Sequence, residues 1–138
     1  LQRTCEFARQ EEENEKRNAF FESWGIHARN LLSFFYSPTD SKYCPRPDDV
    51  IAEDFFDNDS KWRTNRPDKS QTLIALAKRI GKEVAHLTYV RVNYGSVGPK
   101  WPISIVTNEM RRIILKFYEL VPSDWIGPEF KKFFKILN

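Results

Sequence analysis

Chemistry in this sequence concentrates in one short run, Arg79-Ile-Gly-Lys-Glu-Val-Ala-His86. If the run is helical, Arg79 and His86 are seven residues apart and lie within about 20° of each other on one side of the helix. Glu83 sits between them on that side, and Lys82 flanks it. An imidazole with an ordinary pKa near ~6.5 exchanges protons close to neutrality. A guanidinium beside it binds a phosphate and stabilises developing negative charge. Together these are parts for cleaving a phosphodiester without a metal. The same spacing allows a plainer reading, in which Glu83 pairs with Arg79 at i, i+4 and stabilises the helix by a few tenths of a kcal/mol.

Other candidates are more isolated. His27 falls at the edge of an aromatic face, next to Phe20 and Phe34 on the helical wheel, with Arg29 and Asn30 nearby. One reading makes it a hydrogen-bonded core residue; the other places it in the same cleft as His86. Lys61-Trp62-Arg63 and Arg66 combine aromatic and basic groups in the manner of single-strand binders. The acidic run from Asp48 to Asp59 lacks the Gly and terminal Glu of an EF-hand, and reads as a solvated loop. There is no Gly-rich phosphate loop, G-x-S-x-G elbow or H-E-x-x-H. Two His residues, and Cys5 and Cys44 outside any C-x-x-C spacing, offer no metal or redox site, so neither metal nor cofactor is expected.

The elements that would position these residues are helical. Between Thr4 and Tyr36 there is no Pro and one Gly, which predicts a long helix ending before Ser37-Pro38. Its inward face carries Phe20, Phe21, Trp24, Ala28, Leu31, Leu32, Phe34 and Phe35 at about 100° per residue. The Pro- and Asp-rich stretch 37–69 reads as a long connection, with one short helix near Asp48–Phe56 capped by Asp48 and docking Val50, Ile51, Phe55 and Phe56 on the core. Ser70 is the expected N-cap of a second long helix running to about Val92, striped by Leu73, Leu76, Ala77, Ile80, Val84 and Leu87. After an Asn93–Pro102 loop, a third helix is expected from near Thr107 to Val121-Pro122, with Glu109 in its first turn. It buries Met110, Ile113, Ile114, Phe117 and Leu120. A fourth follows Pro128, presenting Phe130, Phe133, Phe134 and Leu137. No segment alternates with period two. The expected fold is therefore all-α, an irregular four-helix bundle in a single domain spanning 1–138.

The 138 residues, 41% hydrophobic and 14% aromatic, suffice for one core and exclude a large two-domain enzyme. The net charge of +3 conceals an asymmetry. Residues 1–60 hold 7 Lys/Arg against 13 Asp/Glu, whereas residues 61–138 hold 15 against 6. Either the two halves complement each other, or the basic half faces phosphates. No membrane-length apolar window occurs, and the first residues are too charged for a signal peptide, so a cytoplasmic protein that does not engage membranes is expected.

Arg79 to His86, set within a helical bundle, resembles the Arg-x(4–6)-His motif of HEPN domains. His27-Ala-Arg-Asn-Leu-Leu-Ser-Phe-Phe-Tyr36 and Lys82-Glu-Val-Ala-His-Leu-Thr-Tyr89 are also similar to bacterial proteins related to that superfamily. The likeness covers the two main helices, about a third of the chain. It implies an all-α HEPN-like bundle, dimerisation and, in active members, a metal-independent ribonuclease whose Arg and His meet across the dimer. On that pattern Arg79 holds the scissile phosphate and His86 transfers protons. The residues themselves add Glu83 as a supporting group and His27, Arg29, Asn30 and Lys82 as candidate binding residues. Ile80 departs from the polar residue usual after that Arg. The expected function is a ribonuclease or a nucleic-acid-associated defence component. The alternative is a noncatalytic dimeric interaction module, and the two differ in whether Arg79 is open to a ligand or tied into ion pairs.

Overall fold

The computed structural model describes residues 14–37, 45–58, 60–84 and 100–137. Among these residues there are five α-helices and no strand. The helices are α1 (Asn14–Tyr36), α2 (Ser60–Asn65), α3 (Gln71–Glu83), α4 (Ile103–Leu120) and α5 (Pro128–Leu137). Two 3-10 turns, Ala52–Phe55 and Ser123–Trp125, punctuate the connections. No described helix is long and apolar enough to cross a membrane. The expected all-α fold is present.

Local signals set most of the boundaries. Ser70 caps α3 as anticipated: its Oγ accepts from Leu73 N at 3.2 Å. The same hydroxyl donates to a Glu109 carboxylate oxygen. The helix closes earlier than its apolar stripe implied, at Glu83, with Val84 as the C-cap and Val84 N bonded to Ile80 O at 3.0 Å. α4 begins at Ile103, not near Thr107, because the Pro102 carbonyl already accepts from Val106 N at 3.0 Å. Pro102 lacks a donor but keeps its acceptor, which is what the start of a helix requires. Glu109 accordingly lies beyond the first turn, and its role is the bond to Ser70 rather than a dipole interaction.

The expected helix near Asp48–Phe56 is only the 3-10 turn Ala52–Phe55, and its cap is not Asp48. Asp54 Oδ2 accepts from Ile51 N, and Asp49 Oδ2 from Arg46 N, each at 2.8 Å, so these carboxylates are spent on local turns. α2 falls inside what read as connection. Asn58 starts it, its Oδ1 accepting from Ser60 N at 2.9 Å, and Pro67 follows its end.

Contacts group into two compact units, one comprising Leu1–Ser33 and Lys69–Glu109, the other Phe34–Asp68 and Met110–Asn138. In the first, Trp24, Ala28, Leu32, Leu73, Leu76, Ile80 and Val106 are buried. Gly25 permits a close approach there, since a Cβ on it would lie 3.3 Å from Val84 Cγ2 and 3.8 Å from Ile80 Cγ1. In the second, Phe35, Phe56, Trp62, Met110, Ile113, Phe117 and Phe134 are buried. Phe117 meets Phe34, Phe35, Phe55, Phe56 and Trp62 at centroid distances of 5.4 to 5.7 Å, mostly edge to face. Phe130, expected in the core, is 42% exposed.

Candidate functional site

α3 carries Arg79 and Glu83 one turn apart, so both side chains leave the helix on one side. Arg79 Nε donates to Glu83 Oε1 at 2.9 Å and Nη2 to Oε2 at 3.0 Å, a two-pronged ion pair. Nη1 donates to the Lys100 carbonyl at 3.0 Å. The guanidinium carbon lies 4.3 Å from the centroid of the Trp101 ring, in cation–π contact. Trp101 in turn packs edge-on against Trp24, with centroids 6.1 Å apart. Glu83 is 8% exposed and Arg79 32% by side chain. A nearly buried carboxylate is tolerable because the guanidinium satisfies both of its oxygens.

His86 lies outside the described residues, and the shared side of the helix is described for Arg79 and Glu83. Lys82 is exposed. His27, Arg29 and Asn30 all lie on the exposed side of α1, because Trp24, Ala28 and Leu32 take the inward positions. This corrects the reading of His27 as a core residue.

The Lys61-Trp62-Arg63 and Arg66 cluster is no base-stacking platform. Trp62 is fully buried; its indole Nε1 donates to Phe35 O at 2.8 Å, and Arg66 Nη1 donates to the same carbonyl at 2.9 Å. Phe35 is in the last turn of α1, where carbonyls have no intrahelical partner and cations are favoured. Arg66 also lies 5.1 Å over the Tyr36 ring, and Tyr36 Oη donates to Pro67 O at 2.9 Å. These residues close a helix end. They had resembled a ligand site because aromatic-plus-basic composition is common to both uses.

Sequence reasoning also missed a buried carboxylate. Glu53, in what read as a solvated acidic loop, is 3% exposed, 3.5 Å from Arg66 Nη1 and 3.8 Å from Arg63 Nε. Neither carboxylate oxygen has a hydrogen-bond partner. Burial pushes its pKa above the ordinary value, against the opposing pull of its own backbone N–H, Arg66 and Arg63. The apolar residues flanking Glu53, namely Ile51, Ala52, Phe55 and Phe56, were the available sequence signal that part of the acidic run faces inward, and Ala52 and Phe56 are indeed buried, whereas Val50, expected to dock with them, is exposed. The Lys100 and Trp101 contacts to Arg79 had no such signal, being 21 and 22 residues away in a stretch read as loop.

Among the described residues no group of three His, Cys, Asp or Glu side chains converges on a point where a metal would sit. No family model, curated protein or solved structure matches this chain. The HEPN-like resemblance accordingly rests on the sequence segments that carry it.

Proposed function

We propose that this chain is a noncatalytic helical interaction module in which Arg79 is an internal clasp rather than a phosphate ligand. The observation that carries the reading is the occupancy of the guanidinium. Three of its five N–H donors are committed to Glu83 and the Lys100 carbonyl, and one face rests on Trp101. A phosphate seeking a two-pronged grip would have to displace a nearly buried carboxylate that holds both prongs, and breaking such a pair costs several kcal/mol. The HEPN-like four-helix arrangement, a homodimer and a cytoplasmic location belong to this proposal, with α1 and α3 as the segments that carry the resemblance.

The test is incubation of the purified chain with a broad panel of RNAs, with and without EDTA, alongside sedimentation at micromolar concentration. The expected result is intact RNA and about twice the monomer mass. Arg79→Lys should lower stability by about 1–2 kcal/mol in thermal unfolding, because an ammonium cannot reproduce the planar two-pronged pair. Cleavage that survives EDTA, spares DNA and falls by about 10²-fold in His86→Ala would overturn the reading. It would establish instead a ribonuclease in which the substrate's 2′-hydroxyl attacks the adjacent phosphate while His86 transfers the proton.

A further inference from the structure

Among the described residues of the second unit Trp125 is the most exposed large aromatic, 58% accessible, although aromatic rings of this size are ordinarily at least half hidden. It is not loose. The 3-10 turn Ser123–Trp125 holds its backbone, Trp125 N bonding to Pro122 O at 3.1 Å, and its ring meets Phe55 edge-on with centroids 6.1 Å apart. Phe55 is itself rooted against Phe34 and Phe117. Val50, 64% exposed, lies two residues before the turn that carries Phe55. A rigidly backed, half-open tryptophan beside further apolar surface is the usual anatomy of a binding hot spot.

Exposed acids outnumber exposed cations along the segments that carry these two rings, while Lys131 and Lys132 follow on α5, Lys132 paired with Glu129. Asp48, Asp49, Asp54 and Asp57 are exposed along the segment bearing Val50 and Phe55, and Asp124 adjoins Trp125. Asp49 and Asp54 are fixed in place by the backbone N–H groups they accept from. Arg46 is the one exposed cation of residues 45–58. The neighbouring cations of α2 are engaged elsewhere: Lys61 lies 5.5 Å over the Phe56 ring, Arg63 and Arg66 pair with Glu53, and Arg66 caps α1. In a chain of net charge +3, a concentration of acids around an exposed aromatic is a local feature and not a consequence of composition.

We propose that the Trp125–Phe55 surface docks a basic segment of a partner protein, with an aromatic or long aliphatic anchor against Trp125 and Lys or Arg side chains facing the surrounding aspartates. Charge complementarity selects this occupant over an acidic one or a nucleic acid, whose phosphates would meet the aspartates unfavourably. The inference rests on the interaction-module reading and gives that module a partner class.

The experiment is selection of short random displayed peptides against the full chain, followed by calorimetry with the enriched peptides. Enriched sequences should be net basic with at least one aromatic or long aliphatic residue, and their affinity should fall as salt rises. Trp125→Ala should weaken them about tenfold or more with unchanged far-ultraviolet circular dichroism, while Trp125→Phe retains most of the affinity. The double replacement Asp48→Asn and Asp124→Asn should weaken them severalfold. Failure to enrich peptides, enrichment of acidic ones, or indifference to Trp125→Ala overturns the proposal. Conversion of a dimer to a monomer by Trp125→Ala also overturns it, since the occupant is then a second copy of this chain. RNA cleavage by a chain that still binds basic peptides removes the noncatalytic reading and leaves this surface; lack of peptide binding without cleavage does the reverse.

Discussion

Glu53 carries a buried charge whose nearest cations, at 3.5 and 3.8 Å, are too far to hydrogen-bond its oxygens well. Because burial raises its pKa in the folded chain, the folded state holds this proton to higher pH than the unfolded state does. The contribution to stability is thus fully present below the ordinary carboxylate range and is lost as pH rises through the raised value. Unfolding of Glu53→Gln and of the natural chain, compared in urea across that window, should show the variant gaining relative stability as pH increases; a constant difference would contradict the assignment. At this same scale the sequence was informative about pairs one helical turn apart, such as Arg79 with Glu83. It was silent where partners come from distant chain, as with Lys100 and Trp101, because a 3.6-residue period says nothing about what crosses from another segment. Trp62 misled for a related reason: a tryptophan among cations looks identical in sequence whether its indole faces solvent or a helix carbonyl.

Elements were most legible where a cap and a stripe coincide. Ser70 marked the start of α3 because a short hydroxyl side chain before Leu73, Leu76 and Ile80 satisfies one of the free first-turn amides, that of Leu73, and leaves the stripe inward. Ser70→Ala removes the acceptor for Leu73 N and also the donor to Glu109, and should lower stability by about 1 kcal/mol, readable as a fall in thermal midpoint. Restoration by Ser70→Thr or Ser70→Asp would separate the two bonds: a carboxylate can cap the helix but would repel Glu109. The elements the sequence hid are those held by tertiary contact. α2 is six residues long, too short to form alone, and persists because Trp62 is buried and the Asn58 side chain accepts from Ser60 N. The early start of α4 followed from the Pro102 carbonyl, which marks helix beginnings as well as loops.

At the scale of the molecule, the acidic and basic halves of the sequence do not map onto the two compact units, since each unit takes one segment from residues 1–68 and one from 69–138. Segments of opposite bias are therefore combined inside each unit, whereas the pairing of Arg63 and Arg66 with Glu53 falls within the single segment Phe34–Asp68. The all-α class was legible from periodicity, while this interleaving was not, because it depends on which non-adjacent segments associate. The four tryptophans, finally, make the chain its own optical reporter. Trp24 and Trp62 are sealed from solvent, Trp101 lies beneath a guanidinium, and Trp125 is open among aspartates. Collisional quenchers of opposite charge should therefore sort the emission: caesium, drawn toward carboxylates, should extinguish a red-shifted fraction that disappears in Trp125→Phe, and iodide should reach that fraction poorly at low salt. Equal quenching by both ions would mean that the field around Trp125 is neutral. Otherwise one spectral component provides a direct, label-free view of whatever comes to rest on that ring.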